Sequence, residues 1–348
     1  MELPGNKLAV LNVICLYELQ SGSALEQKRL LQTCIDDGFF YLDLTHPNFS
    51  PLLENVNEVF DLAKDLFNHN PEVKSLFDVD KISELKVNGY KPKGRNVVGN
   101  GKTDGFESWV IPRNGLLQLT NEPFPHPPTV ANHLRDLRYM IQGLGFAAHT
   151  ILSSLSTSLS IPAGQRLEDF QDCTRPSLDI LRMLKYHANP SSDIVTQTPH
   201  TDLGSLTFVF STTPGLQVLP TRNGQNPNAC NESDWRLVNP KPGHAVVNIG
   251  DCISMMTNGL LKSALHRVGT VPGCAMPERY SMAYLMRPED QTVLRTLNSP
   301  LIPRSLSDNE DAITSGALIR KKFAALRGHT DVTSNIDQVI TGGKGILA

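Results

Sequence analysis

Residues 200–210 read His-Thr-Asp-Leu-Gly-Ser-Leu-Thr-Phe-Val-Phe, and the conformation of this stretch decides the fold. Its bulky and β-branched residues predict a strand. Side chains two apart on a strand share a face, so His200 and Asp202 are expected to point the same way, with Leu206, Phe208 and Phe210 as an apolar floor behind them. Outward from this run, Leu178 to Met286 consists of short β-rich segments separated by Gly, Pro and Asn, the pattern of an antiparallel sandwich or barrel.

The rest of the chain reads differently. ALEQKRLLQTCIDD predicts a helix from Ser23, stopped by Gly38, then a short strand from Phe39 to Leu42. Apolar spacing predicts a second helix from Leu52 to Phe67. Residues 87–104, rich in Gly, Asn and Lys, predict an exposed loop, and residues 129–159 one long helix despite Gly143 and Gly145. A polar connector follows over 165–176, and ALIRKKFAALRG predicts a late helix before a polar tail. The class is therefore α+β, in three regions: a helical and mixed region (1–177), a β core (178–290) and a C-terminal helix with tail (291–348).

With 348 residues, 40% apolar and 19% charged, the chain has the composition of a globular protein with a large core. A net charge of −3 gives no basic excess for a nucleic-acid partner. No apolar run approaches the roughly 18 residues of a membrane span, and Met1–Val10 lacks a signal peptide's layout, so neither membrane nor export is expected. The six cysteines form no close pair and no zinc spacing, which predicts reduced, mostly buried thiols and a cytoplasmic location.

Ten histidines and 35 acidic residues produce about one His-x-acid triplet by chance, so neither His200–Asp202 nor His329–Asp331 is a metal signal alone. Context separates them. The first opens a strand and is followed, 64 residues after Asp202, by His266 in SALHRVG; the second stands in a polar tail with no later histidine. Two imidazoles and a carboxylate hold one face of an octahedral metal and leave three positions open, an arrangement suited to non-haem Fe(II). A zinc hydrolase could use the same ligand types, and a core histidine is the alternative for His266. Arg279 and Ser281, two apart in ERYSMAYLM, share a face and offer a guanidinium fork plus a hydroxyl, a receptor for a carboxylate; an ordinary surface arginine is the alternative.

Five strings in order, HTDLGSLTFVF, PGLQVL, VNPKPGHAVVNIGD, TNGLLKSALHRV and RYSMAYLMRP, resemble the Fe(II)- and 2-oxoglutarate-dependent dioxygenases of the isopenicillin N synthase-like superfamily. CIDDGFFYL, GYKPKG and DGFESW extend the likeness over most of residues 24–290. The resemblance implies a double-stranded β-helix, or jelly-roll, core wrapped by N-terminal helices. It implies His200, Asp202 and His266 as iron ligands, Arg279 and Ser281 as the grip on the far carboxylate of 2-oxoglutarate, and Tyr186 of LKYHANP beside the cosubstrate. His187 stands where the family often has proline, and the segment 221–235 is longer than the family's usual turn.

The implied reaction consumes 2-oxoglutarate and O₂ on Fe(II), with ascorbate as a supporting reductant. It releases succinate and CO₂ and oxidises a C–H bond of a small organic molecule, such as a specialised metabolite, by hydroxylation, desaturation or cyclisation. Two alternatives are an iron oxidase of the isopenicillin N synthase type, without 2-oxoglutarate, and a non-catalytic binding protein. If Tyr186 faces the iron, parity places Leu184 and Arg182 on the same face, with Phe208 a further substrate contact. An inward arginine needs an anionic partner. Either an acidic group of the substrate or a carboxylate of the protein would serve.

Overall fold

The computed structural model describes residues 8–98, 102–188, 195–220, 231–270, 275–304 and 313–326. The first half begins with β1 (Val13–Cys15), α1 (Leu16–Gln20), α2 (Ala24–Asp36), β2 (Phe39–Asp43), α3 (Ser50–Asn68), α4 (Pro71–Leu76) and α5 (Val79–Ile82). It continues through β3 (Gly89–Lys91), β4 (Val97–Val98), β5 (Lys102–Thr103), β6 (Phe106–Pro112), α6 (Arg113–Leu117), α7 (Pro128–Ala131) and α8 (Leu134–Ser158). The second half holds β7 (Ile180–Tyr186), β8 (Val195–His200), β9 (Leu206–Ser211), β10 (Leu216–Val218), β11 (Arg236–Leu237) and β12 (His244–Ile249). It ends with α9 (Asp251–Met256), β13 (His266–Gly269), β14 (Arg279–Leu285) and α10 (Ser315–Leu326).

Eight strands form a large sheet in the order β1-β2-β12-β9-β14-β7-β6-β3, and four form a smaller one, β11-β10-β13-β8. The two face each other as a jelly-roll barrel. Strand alternation sorts the large sheet's side chains. Phe40, Leu42, Val247, Phe208, Met282 and Met183 join Leu62, Leu66, Leu137 and Leu144 of α3 and α8 in the main core, on the outer face. Phe39, Tyr41 and Val246 point inward and meet Leu216 and Val218 of the small sheet. Each fully buried leucine of the helical layer contributes about 1.5–3 kcal/mol, so α3 and α8 hold the outer face of the large sheet. The N-terminal strands β1, β2, β3 and β6 extend the sheet formed by the later ones, so the first region is continuous with the β core.

Several expectations are corrected. The strand predicted over 200–210 is two strands: β8 ends at His200, β9 begins at Leu206, and residues 201–205 turn between sheets. Phe208 is therefore no substrate contact, because its side chain faces the helices rather than the barrel interior. The helix over 129–159 is broken at Asn132–His133 into α7 and α8. Gly143 lies within α8 because α3 comes close there: a Cβ would stand 2.9 Å from Leu52. The loop over 87–104 is neither irregular nor wholly exposed. Asn88, Tyr90, Lys91 and Asp104 are buried, and Asp104 accepts from the amides of Gly94 and Asn96 while pairing with Lys91 at 2.7 Å. Internal pairing lets so polar a segment pack against the sheet. Cys34 and Cys252 are buried, but Cys173 is exposed. The second His-Thr-Asp, most of the long 221–235 segment and the polar tail lie outside the described residues. No described helix is long and apolar enough to cross a membrane.

The 201–205 turn is tightly tied. Ser205 N–H donates to the Met286 carbonyl, and the amides of Gly250, Asp251 and Cys252 donate to the carbonyls of Ser205, Asp202 and Gly204. A Cβ on Gly204 would collide with the Met286 backbone carbonyl. Gly204→Ala should therefore destabilise the protein by about 1–3 kcal/mol, the usual cost of overpacking, seen as an earlier midpoint in urea unfolding. An unchanged midpoint would show that the turn yields freely.

Candidate active site

His200 is the last residue of β8 and His266 the first of β13, and the two are paired across the small sheet. Asp202, two residues on, is carried by the turn. The three side chains converge: each offers a donor atom within 4.8 Å of the others, the imidazole centroids are 4.3 Å apart, and Asp202 Oδ1 lies 3.8 Å from His266 Nε2. Strand pairing thus supplies the convergence that the sequence reading assigned to a shared strand face.

Their other atoms are committed to neighbours. His200 Nδ1 lies 2.8 Å from the Thr198 carbonyl and His266 Nδ1 3.2 Å from that of Ala264, positions in which a protonated Nδ1 donates and Nε2 keeps its lone pair. Asn248 Nδ2 donates to Asp202 Oδ2 at 2.8 Å, leaving Oδ1 toward the histidines. Burial, and then the neighbouring His266, hold the His200 pKa well below the usual imidazole range. Burial pushes the Asp202 carboxyl up, but the two imidazoles and the Thr207 and Asn248 hydrogen bonds outweigh it and hold it low. A neutral imidazole and an ionised carboxylate at neutral pH are the forms that bind a metal. Asn248, Thr207 and Gln197, whose amide lies 3.2 Å from His200 Nε2, escaped the sequence reading because nothing local marks them.

Arg279 opens β14 and is 1% exposed. Gly215 closes on its side chain, and Gly215 in turn accepts from Gly269, the last residue of β13, so Arg279 lies one strand length from His266. Its Nε donates to the Thr213 carbonyl at 3.0 Å and its Nη2 to Ser211 Oγ at 2.6 Å. Ser211 also bonds Ser281, at 3.3 Å, and its role was not read from the sequence. Nη1 is buried with no partner among the described residues. A buried guanidinium N–H left unpaired costs about 1–3 kcal/mol or more, so an acceptor brought to Nη1 would be favourable. A cavity of about 380 Å³, lined by Leu216, Val238 and Val246 among others, reaches Arg279 and Ser211 but not His200 or His266.

The predicted parity of β7 holds. Arg182, Leu184 and Tyr186 pair with Val110, Ser108 and Phe106 of β6, and Leu184 and Tyr186 pack inward against Phe106 and Val268. Tyr186 lies under Arg279, ring centroid 4.9 Å from the guanidinium, and its hydroxyl donates to Gln197 Oε1 at 3.0 Å. Arg182 Nη2 donates to Ser108 Oγ at 3.3 Å, with the guanidinium 5.5 Å from the Phe106 ring centroid. Its Nε is buried and unpartnered among the described residues. Lys91 Nζ stands 3.9 Å from the centroid of the same Phe106 ring. His187, in the place the family often gives to proline, pairs with Glu107 at 3.2 Å.

A jelly-roll barrel with two imidazoles and a carboxylate at one end and a buried guanidinium at the other has the layout of a mononuclear non-haem iron oxygenase. Residues 177–288 match the model of the 2OG-Fe(II) oxygenase superfamily. The chain is 31% identical to the 2-oxoglutarate-dependent dioxygenase gloE of Glarea lozoyensis, over 96% of this chain and 92% of that one. It is 30% identical to the 2-oxoglutarate-dependent dioxygenase frbH of Dothideomycetidae sp., over 96% of both. Among solved structures, a full-length Neurospora crassa protein in complex with alpha-KG matches at a TM-score of 0.73 and 24% identity, covering 92% of this chain and 98% of that one. The chain belongs to the Fe(II)- and 2-oxoglutarate-dependent dioxygenases. As such it is an oxidoreductase that uses Fe(II), 2-oxoglutarate and O₂.

Because a three-donor face loses its chelate with any one member, His200→Ala, Asp202→Ala and His266→Ala should each abolish Co(II) binding in an absorption titration. His329→Ala and Asp331→Ala should leave it intact. Metal loss in the latter pair instead would reverse the choice between the two His-Thr-Asp triplets.

Proposed function

We propose that His200, Asp202 and His266 hold Fe(II), that Arg279 and Ser281 grip the far carboxylate of 2-oxoglutarate beside Tyr186, and that the primary substrate is a small organic molecule with an anionic group that pairs with Arg182. The observation that carries the reading is the unpartnered Nη1 of buried Arg279, inside the same barrel as the three converging donors. It fits a carboxylate, and the donor set fits Fe(II).

Bound Fe(II), with 2-oxoglutarate and O₂, supplies an oxidant for a C–H bond while succinate and CO₂ are released. The chain's own contribution is placement. Thr198 and Ala264 carbonyls orient the imidazoles, Asn248 and Thr207 hold Asp202 ionised, and Ser211 with the Thr213 carbonyl fixes the plane of the Arg279 guanidinium. The separation between the two ends of the barrel then sets which dicarboxylate spans them. Phe106, Leu184 and Val268 exclude water on the substrate side. Arg182 has one weak neutral contact and no ion pair among the described residues, because Asp104, the nearby carboxylate outside the donor set, is taken by Lys91 and two backbone amides. A substrate anion would supply the missing partner.

Losing one partner of a buried, hydrogen-bonded charge pair costs about 2–5 kcal/mol, so Arg279→Ala should raise the 2-oxoglutarate requirement about 30-fold or more with Co(II) binding retained, and Ser281→Ala should cost only about 1 kcal/mol. An unchanged requirement in Arg279→Ala would favour an oxidase that dispenses with 2-oxoglutarate. For the substrate, a panel of small acids and their neutral amides, scored by succinate release, should show stimulation by acids only. In Arg182→Leu that stimulation should vanish while slow substrate-independent 2-oxoglutarate decay persists. Equal stimulation by the amides would remove the anionic group from the proposal.

A further inference from the structure

Lys322 lies on α10, 121 residues beyond Thr201 of the metal-ligand turn, yet its side chain runs inward and is 2% exposed. Its ammonium donates to the Thr201 carbonyl at 2.8 Å, to Thr201 Oγ1 at 2.9 Å and to Asp251 Oδ2 at 2.6 Å. Thr201 is the residue between His200 and Asp202. Asp251 is bound on its other side: Oδ1 accepts from Ser263 at 2.7 Å, Oδ2 accepts from Thr201 Oγ1 at 3.1 Å, and its amide donates to the Asp202 carbonyl at 2.8 Å. All three ammonium hydrogens are therefore spent on one small network that touches the backbone on both sides of the Asp202 side chain. The helix has separate anchors, since Ile319 is buried, Ser315 donates to the Pro288 carbonyl and Arg320 pairs with Asp290 at 2.8 Å. A charged side chain was not needed merely to attach it.

The geometry points to Lys322 as a positioning residue for the metal centre: α10 closes the site from behind by pinning the Thr201 peptide, so metal affinity and the docking of the C-terminal helix are coupled. This rests on the assignment of His200 and Asp202 as ligands. The physical basis is the exit of the chain from β8. Once the strand ends at His200, no ladder hydrogen bond orients the next peptide, and Asp202 must be aimed by contacts from outside the sheet. Asn248 fixes one carboxylate oxygen; Lys322 and Asp251 fix the backbone that carries it. Coupling of this kind is reciprocal, so a bound metal must also strengthen the docking of α10.

The test uses the full chain and Co(II), which takes the same donor types as Fe(II) and reports binding by its visible absorption. Lys322→Met alone would strand the Asp251 charge, so it is compared with the double variant Lys322→Met, Asp251→Asn, which removes both charges of the buried pair and can leave stability little changed. The double variant is expected to unfold near the wild-type midpoint while binding Co(II) about 10-fold or more weakly, the usual loss for an outer partner of a metal ligand. The second measurement needs no variant: hydrogen exchange of wild-type protein should slow across residues 315–326 when Co(II) is added. Co(II) affinity within two-fold of wild type in the folded double variant, or exchange in 315–326 unaffected by Co(II), would overturn the coupling. If the double variant fails to fold, the wild-type exchange result decides alone. His200→Ala separates the two levels: retained Co(II) binding there would sink the metal assignment, whereas lost binding with an indifferent Lys322 would sink only the coupling.

Discussion

A carboxylate buried between two imidazoles is the constraint around which this molecule is arranged. Asp202 is 8% exposed, and burial by itself pushes its carboxyl pKa up, toward the neutral form. Remaining ionised requires that its lone pairs be met by donors or by a cation, which here means Asn248 and Thr207 on one side and the histidines on the other. Those partners come from different strands: Asn248 from β12, Thr207 from β9, His200 from β8 and His266 from β13. His200 and His266 meet by pairing within the small sheet, but Asn248 and Thr207 belong to the large one, so the full set of partners exists only once the two sheets face each other.

The second structural demand is length. The donor cluster lies on the small sheet and Arg279 on the large one, and Gly215, bonded to Gly269 at the far end of β13 and packed on the Arg279 side chain, ties the guanidinium to the opposite end of that strand. Arg279 is held in plane by a carbonyl and a hydroxyl that are themselves on β9 and its turn, so only Nη1 is left over. Along the wall between the two ends, β7 presents Arg182, Leu184 and Tyr186 in strict alternation. The same strand that carries Tyr186 under the Arg279 guanidinium also carries Arg182.

The helices have a quieter role. α3 and α8 cover the outer face of the large sheet and pack into the main core with it, whereas α9 and α10 approach the edge where the 201–205 turn emerges. At that edge the polar groups are not ordered by a strand ladder, and buried charged residues gather there: Asp251, Lys322 and Arg287, the last bonded through its amide to Asp179. Unsatisfied polar groups at a barrel rim are costly, and the network there pairs the Lys322 ammonium and the Asp251 carboxylate, while Arg287 Nε has no partner among the described residues.

Short-range features were legible in the amino-acid order. The α2–β2 succession, the α3 helix, the β-rich second half and the shared face of Arg182, Leu184 and Tyr186 follow from local spacing, because strand and helix periods act over a few residues. Residue types and spacing offered two imidazoles, one carboxylate and an arginine with a hydroxyl as candidates, and the resemblance to the dioxygenases chose among them. What local order misassigned is where a strand stops. HTDLGSLTFVF has β propensity throughout, yet β8 ends at His200, since the turn at 201–205 is held by Met286, Gly250, Asp251 and Cys252 from distant segments. The face of Phe208 follows from that break, and so does its place among the helices rather than in the pocket. Gln197, Ser211, Asn248 and Lys322 carry no sequence signature, because a polar side chain acquires its role here only from the partner that tertiary packing brings to it. Sequence by itself determined the donor types and the β framework; the tertiary structure decided which strands bring them together, because contacts between residues far apart in the chain depend on closure of the barrel and not on any local propensity.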